Sequence, residues 1–218
     1  MMKSIDIPYI EGLGSMDMGR LDLSLDSKGA KGFTDCVCWP ERFPYMPDCS
    51  FAMGHDGENL CILFHVRGLD LRAQALEDNG PVWEDSCCEV FIADPRNGNY
   101  YNFEENCIGT MVNGIGEARN GRVRRGAEEM GLIRRFSTLP RRQIDLSGKI
   151  FGWSVGMVIP FFLFGLGKGE LPATLRGNVY KCGDKTAHPH FLAWNKVETP
   201  APDFHRPDFF GEFRFIQK

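Results

Sequence analysis

Short apolar runs in which every second side chain falls on the same face recur along this chain of 218 residues. In Phe151–Ile159 the alternation puts four apolar side chains on one face of an extended strand, namely Trp153, Val155, Met157 and Ile159. A similar run is Asn59–Val66, with Leu60, Ile62, Phe64 and Val66 on one face. This period of two predicts β-strands. Further strand candidates are Cys87–Ala93, Tyr100–Cys107, Val179–Cys182, Phe191–Trp194 and Glu212–Ile216.

Turn signals separate many of these runs. The dipeptide Asn-Gly, which tolerates the positive φ angles of tight hairpins, begins at Asn79, Asn97, Asn113 and Asn120. Helical patterning is confined to Leu69–Leu76 and Phe161–Leu166. We therefore predict an all-β fold, a two-sheet antiparallel β-sandwich of immunoglobulin or jelly-roll type with one or two short helices. Residues 1–218 are expected to form one domain, in which segment 1–30 has no evident role.

Composition narrows the function classes. Hydrophobic residues make up 43% and charged residues 25%, as in ordinary folded proteins. The net charge of −4 offers no general attraction to nucleic acid or to an anionic membrane surface. No apolar window is long enough to span a bilayer, and the first residues lack the apolar centre of a secretion signal. We expect a cytoplasmic protein.

The chain contains 8 cysteines. Several lie in strand-like apolar runs, where a free thiol packs as a small hydrophobic group. Cys36-x-Cys38 and Cys87-Cys88 lack the paired spacing of structural zinc sites, and no third ligand accompanies His188-Pro189-His190. We expect buried free thiols and no metal site.

Catalytic and nucleic-acid motifs are weak. The arginine-rich segment Arg119–Arg142 also holds glutamates and lacks interleaved aromatics, so a solvated hairpin is favoured over a nucleic-acid patch. No G-x-S-x-G, P-loop or H-E-x-x-H occurs. Glu104 and Glu105 are adjacent on a predicted strand and should point to opposite faces, which is wrong for glycoside hydrolysis.

Two segments are rich in groups that could hold a small polar ligand. Trp83, Glu84 and Asp85 lead into the strand that carries Glu89. The segment Asp203–Gly211 combines aromatic, cationic and acidic side chains, His205 and Arg206 among them. An aromatic ring can stack on the apolar face of a sugar while a carboxylate accepts hydrogen bonds from its hydroxyls. The alternative is that Trp83 belongs to the core and Glu89 is an edge charge.

At these residues the sequence resembles carbohydrate-binding module family 9. Three blocks carry the resemblance: "VWEDSCCEVFIADPRNGNYYNFE" from Val82; "GWSVGMVIP" from Gly152 with "RGNVYKC" from Arg176; and "FLAWNKV" with "FHRPDFFG" in the C-terminal part. Trp39–Val66 is similar to a lesser degree.

The resemblance implies a β-sandwich that grips a terminal sugar of xylan or cellulose origin between two aromatic side chains. Trp83 and Phe204 match the two aromatic positions, and Glu89 matches a carboxylate that bonds sugar hydroxyls. The further candidate contacts are Asn178, Glu104, His205 and Arg206. Glu104 stands where the family has a basic contact, and Phe204 stands where it has tryptophan. The family also carries structural calcium, but no oxygen-rich loop here demands it, so we expect no cofactor.

The resemblance favours a non-catalytic carbohydrate-binding module whose partner is a sugar. Two other functions stay open. A glycoside-acting enzyme would need two carboxylates about 5–10 Å apart across a pocket. A protein-interaction domain would use the same aromatic side chains against another protein.

Overall fold

The structure is a computed structural model that describes residues 2–94 and 96–218. Strands are numbered in chain order. The first sheet, sheet A, is 9-stranded and contains β1 (Ser4–Ile7), β3 (Cys36–Val37), β6 (Cys87–Ala93), β7 (Tyr100–Asn106), β8 (Met111–Gly116), β9 (Val123–Arg124), β12 (Thr174–Cys182), β13 (Phe191–Ala193) and β14 (Gly211–Phe215). The second, sheet B, is 5-stranded and contains β2 (Ala30–Phe33), β4 (Asp48–His55), β5 (Asn59–Ala73), β10 (Arg134–Ser137) and β11 (Ile144–Pro160).

The two sheets enclose one main apolar core, as the alternating pattern predicts. Each predicted strand is present, although β5 and β11 extend well beyond the predicted ends. Trp153, Val155, Met157 and Ile159 all lie in this core, opposite alternate residues of sheet A such as Val90 and Phe103. Because side chains of a strand alternate between faces, one apolar face of each sheet is buried in the sandwich. The predicted two-sheet sandwich is confirmed.

The central strands of sheet A run in the order β14-β12-β6-β7-β8, each antiparallel to its neighbours. The exception to antiparallel pairing is β1, which pairs with β14 in parallel. This pairing gives a role to part of segment 1–30, because Ile5 and Ile7 enter the core from β1.

The part of the chain that the structure describes contains two α-helices, α1 (Met18–Lys28) and α2 (Ala127–Gly131). The Asp17 side chain caps α1 by accepting a hydrogen bond from the Arg20 main-chain N–H at 3.0 Å. Leu21 and Leu25 of α1 are buried in a small cluster on the outer face of sheet B. The sequence pattern did not indicate this helix, since its polar residues outnumber its apolar ones. No described helix has the length and apolar character needed to cross a membrane.

The two segments predicted to be helical differ in outcome. Phe161–Phe164 forms a short 3-10 helix after Pro160, as predicted. The prediction for Leu69–Leu76 is wrong, because β5 continues through Ala73 in register with β11. An apolar run of this length is compatible with the periodicity of a helix and with that of a strand, and pairing with the long β11 stabilises the strand.

The Asn-Gly dipeptides also have different outcomes. Gly98 and Gly121 adopt positive φ in the β6–β7 and β8–β9 connections, and Asn79 has a φ of 65° in a loop. Pro95, in the predicted turn before Gly98, lies outside the described residues. Asn113-Gly114 is not a turn but part of β8, where the Asn113 side chain donates to the Asn102 carbonyl at 2.8 Å.

Candidate functional site

A second apolar cluster covers the outer face of sheet A. It contains buried residues that point away from the sandwich, such as Phe91 of β6 and Tyr180 of β12, together with Phe204 and Phe210 from the C-terminal segment. Loops therefore pack onto this face instead of leaving it to solvent. They leave a cleft of about 490 Å³ between them.

The cleft draws its floor from the sheet and its walls from the loops. The floor comes from Glu89, Asn102, Glu104 and Cys182. The walls come from Trp83, from residues 119–124 between β8 and β9, and from Asp184, Phe191 and the segment 202–205. A concave surface with an aromatic wall and a few converging polar groups is typical of a small-molecule binding site.

Trp83 lies in a 3-10 helix, Val82–Glu84, just before β6. Its indole is half-buried, while the neighbouring Val82 is fully buried and anchors the turn. The Trp83 carbonyl accepts a hydrogen bond from the Asp184 N–H at 3.1 Å, which ties this wall to the loop after β12. The exposed part of the ring lines the cleft. The rest of the ring packs against the apolar cluster on the outer face of sheet A.

Glu89 of β6 and Glu104 of β7 lie directly opposite each other in the sheet. Both are nearly inaccessible, at 3% and 4% exposure, and both line the cleft. The Asn102 amide donates to Glu104 Oε1 at 2.7 Å, and the Cys182 thiol donates to Glu89 Oε1 at 2.9 Å. Glu105 pairs with Cys88 on the opposite face, inside the sandwich. The prediction that Glu104 and Glu105 point to opposite faces is confirmed.

The carboxyl groups of the cleft hold their protons unusually well. Burial raises the pKa of Glu89 well above its ordinary value, and the Glu104 carboxyl opposite raises it further. Burial raises the pKa of Glu104 as well, although the Asn102 hydrogen bond opposes the change. Burial, with Glu104 and Glu84 nearby, raises the pKa of Asp184 to about 7. The floor thus offers oxygen atoms that can act as both hydrogen-bond donors and acceptors.

Three arginines from the β8–β9 connection form the cationic rim of the cleft. Arg122 is half-buried over the Tyr100 ring, 4.1 Å from its centroid, and donates twice to the Asn102 side-chain oxygen. Arg119 is largely exposed and donates to the Pro202 carbonyl at 3.2 Å. The Arg124 guanidinium lies 5.7 Å from the centroid of the Trp83 ring. The expectation of a merely solvated hairpin is therefore corrected, because this part of the arginine-rich segment lines a site.

Phe204 lines the cleft, but its ring is largely packed. It is 8% exposed, and Tyr180 stacks on it with the centroids 4.2 Å apart and the planes at 11°. Trp39 and Phe191 contact it from other sides. The two aromatic residues expected to clamp a sugar thus differ: Trp83 presents a half-buried ring, whereas the Phe204 ring is almost fully packed.

His205 also lines the cleft, whereas Arg206 and Asn178 do not. The His205 ring shares a hydrogen bond of 2.9 Å with the Tyr100 hydroxyl. Arg206 turns toward Asp208 and the Phe209 ring. Asn178 is fully buried and bonds to main-chain atoms of Asn195 and Phe209. These bonds use its amide to hold the C-terminal segment on the sheet.

Several lining residues were not identified from the sequence. Asn102 and Cys182 face the cleft because they alternate with buried core residues on their strands, and Asp184 follows β12 by two positions. To identify these three residues, one must know that Glu89 pairs with Glu104 on one side and with Tyr180 on the other. The density of arginines in 119–124 was visible, but nothing in the local sequence indicated which way they point.

The position of His205 leads to a pH prediction. Burial, with the positive charges of Arg122, Arg119 and Arg124, lowers the pKa of His205 to about 3. In the unfolded chain the value is about 6.5. As the pH falls below 6.5, the unfolded state binds a proton that the folded state does not, and the free energy of unfolding decreases. Above pH 6.5 the ring is neutral in both states, so this contribution vanishes. The original protein should therefore lose up to about 2 kcal/mol of unfolding free energy between pH 7.5 and pH 5 through this residue, and His205→Gln should not.

Urea unfolding of both proteins at the two pH values measures this difference directly. Comparing the variant with the original protein removes the contributions of all other titrating groups. A stability difference that does not change with pH would contradict the buried, neutral state of His205.

The family resemblance raises the question of a structural calcium ion. Side chains that could surround a cation cluster at Cys87, Glu89 and Cys182, and at Asp22, Asp26 and His65. Calcium takes about six to eight oxygen ligands. Neither side-chain cluster in 2–94 and 96–218 offers such a set, so the residues do not fit this ion.

Comparisons with known proteins agree with the fold. A solved structure of a candidate carbohydrate-binding protein from Bacteroides uniformis is 34% identical, with 99% of this chain and 100% of that chain covered and a TM-score of 0.92. Two structures of a family 9 carbohydrate-binding module from Caldicellulosiruptor kristjanssonii, in complex with glucose and with cellotriose, share the fold. The glucose complex is 12% identical with a TM-score of 0.59, and the match covers 99% of this chain and 97% of that chain. The cellotriose complex is 11% identical with a TM-score of 0.58, and the match covers 99% of this chain and 95% of that chain.

No curated protein matches the chain. The sequence profile described as "Carbohydrate-binding family 9" matches residues 21–215, which is nearly the whole chain. The chain therefore belongs to carbohydrate-binding family 9.

Proposed function

We propose that this protein binds a sugar in the cleft on the outer face of sheet A and leaves it chemically unchanged. The observation that carries the proposal is the half-buried Trp83 ring beside a floor formed by the buried carboxyl groups of Glu89 and Glu104. A pyranose has an apolar face and a rim of hydroxyls, and this pairing of surfaces complements both.

The polar groups suit sugar hydroxyls in both directions. Carboxyl oxygens on the floor accept hydrogen bonds, and the Arg119 and Arg124 guanidinium groups on the rim donate them. Because Glu89 and Glu104 are nearly buried, a hydroxyl that reaches them is removed from competing water. Hydrogen bonds from the charged guanidinium groups of the rim are stronger than those between neutral groups.

The arrangement of the two carboxyl groups argues against glycoside hydrolysis. A glycosidase places its carboxylates on either side of the scissile bond, about 5–10 Å apart. Glu89 and Glu104 instead project side by side from neighbouring strands of one sheet. A sugar stacked on Trp83 would therefore meet both carboxyl groups from the same side.

The ligand we propose in detail is the terminal sugar of a cellulose- or xylan-type chain. The glucose and cellotriose bound by the Caldicellulosiruptor modules support this choice, since those proteins share the fold. The cleft volume of about 490 Å³ also suits one or two sugar rings better than a long chain. Phe204, which lines the cleft with the small exposed part of its ring, would close the second side of the site.

Isothermal titration calorimetry with glucose, xylose, cellobiose, cellotriose and xylobiose tests the proposal. We expect binding of at least one of these sugars and no new reducing ends in a parallel hydrolysis assay. Glu89→Gln should weaken binding about twofold to tenfold, because the amide replaces an oxygen that can accept from a sugar hydroxyl with an NH₂ group that can only donate, and one such hydrogen bond is worth about 0.5–1.5 kcal/mol.

Glu105→Gln is the matched control for Glu89→Gln. Glu105 is equally buried on a neighbouring strand but faces the interior of the sandwich, so its variant should keep full affinity. Equal losses in the two variants would show that the effect comes from the fold and would contradict the site. Release of reducing sugar would contradict the non-catalytic function.

A further inference from the structure

Two thiols and a carboxyl group meet at one end of the cleft floor. Cys87 of β6 and Cys182 of β12 lie directly opposite each other, and Glu89 follows Cys87 on the same face of β6. Their sulfur and oxygen atoms all lie within 4.8 Å of one another. The three residues are 0%, 1% and 3% exposed. The spacing of the cysteines in the sequence predicted no metal site, because this pair is joined only by the strand pairing of sheet A.

We propose that Cys87, Cys182 and Glu89 bind a thiophilic divalent cation, Zn²⁺ being the best match. Thiolates select zinc over calcium and magnesium, which prefer oxygen ligands. In tetrahedral zinc sites Zn–S distances are about 2.3 Å and Zn–O distances about 2.1 Å, so neighbouring donors lie roughly 3.6–3.8 Å apart. The three donor atoms lie within 4.8 Å of one another, close to these separations.

The surroundings favour a cation at this point. Glu89 lies beside Glu104, and the hydrogen bond that the described residues give its carboxyl group comes from the Cys182 thiol at 2.9 Å. Buried carboxyl groups without a cationic partner are costly to ionise. A bound Zn²⁺ would take the place of the thiol protons and compensate the charge of Glu89.

The site would have an open position. Cys182 and Glu89 line the cleft, whereas Cys87 lies beneath them. Three protein ligands leave the fourth tetrahedral position free for water or for an oxygen atom of a molecule in the cleft. The cation would thus form part of the cleft floor. This inference concerns metal binding alone and does not depend on the proposed sugar.

Titration of the reduced, chelator-treated protein with Co²⁺ tests the site directly. We expect one Co²⁺ per chain, with thiolate-to-cobalt charge-transfer absorption and the strong visible bands of tetrahedral Co²⁺, and loss of both when Zn²⁺ is added. Cys87→Ser and Cys182→Ser should each lower the affinity about tenfold or more, since even loss of an outer-shell partner costs that much.

Cys61→Ser is the matched control, because Cys61 is equally buried but packs on the outer face of sheet B. It should leave the titration unchanged. A measurement on the unmutated protein covers the case in which a cleft variant fails to fold. In mild denaturant, where buried thiols are transiently exposed, Zn²⁺ should slow the alkylation of Cys87 and Cys182, as located by mass spectrometry.

The absence of thiolate-to-cobalt absorption in the reduced protein would overturn the proposal. So would protection of other cysteines in place of Cys87 and Cys182. Sugar binding is titrated separately, in the presence of chelator. The absence of metal binding and the absence of sugar binding can then be observed independently of each other.

Discussion

Replacing Trp83 with alanine should weaken sugar binding about tenfold or more and leave the fold intact. Stacking on a sugar ring buries some tens of Å² of apolar surface, worth roughly 1–2 kcal/mol, and each 1.4 kcal/mol corresponds to about tenfold in affinity. The fold should survive because Trp83 is only half-buried and the neighbouring Val82 anchors the turn. Calorimetric titration, together with thermal melting, measures both properties.

Phe33→Ala is a suitable control for Trp83→Ala. Phe33 is 60% exposed on β2 of sheet B, far from the cleft in the fold, and its loss should not change affinity. Unchanged affinity in a folded Trp83→Ala protein would remove stacking from the proposed function. The Trp83 ring would then serve packing alone.

Replacing Glu105 with methionine should stabilise the protein at neutral pH by about 1–3 kcal/mol, the usual cost of a buried polar group without a partner. Both carboxyl oxygens of Glu105 are buried, and neither has a hydrogen-bond partner among residues 2–94 and 96–218. Burial raises the pKa of Glu105 well above its ordinary value. Methionine keeps a similar length and removes the polar atoms.

The gain from Glu105→Met should shrink as the solution is made acidic. With a raised pKa in the folded state, the stability of the original protein is highest below the unfolded pKa, about 4.3, and falls as the pH rises toward the folded value. Chemical unfolding at pH 4 and pH 7 measures the trend. Glu117→Met, at an exposed position, is the control. Destabilisation by Glu105→Met at neutral pH would contradict an unpartnered carboxyl group.

Much of the fold could be predicted from the sequence because β-strands show their buried face locally. Trp153, Val155, Met157 and Ile159 alternate with small or polar residues, and this pattern identifies both the strand and its core side. The α1 helix could not be predicted in the same way. Its buried face consists of Leu21 and Leu25, too short a stripe to stand out.

The candidate site was only partly predictable, because a site on a sheet depends on which residues come to lie side by side. Trp83 and Glu89 were found from local composition and family resemblance. Their neighbour Cys182 hydrogen-bonds Glu89 across 93 positions of sequence, a relation that only strand pairing creates. Asn178 shows the converse: its sequence position suggested a ligand contact, but main-chain groups occupy its amide.

The parallel pairing of β1 with β14 has a consequence for the order of folding during synthesis. Ser4–Ile7 is translated long before its partner Gly211–Phe215. Until then Ile5 and Ile7, buried in the finished sandwich, lack the strand that holds them in place. Contacts between such distant segments form slowly and leave apolar surface exposed meanwhile. Until β14 has been made, this edge of sheet A is therefore open to aggregation and to chaperone binding.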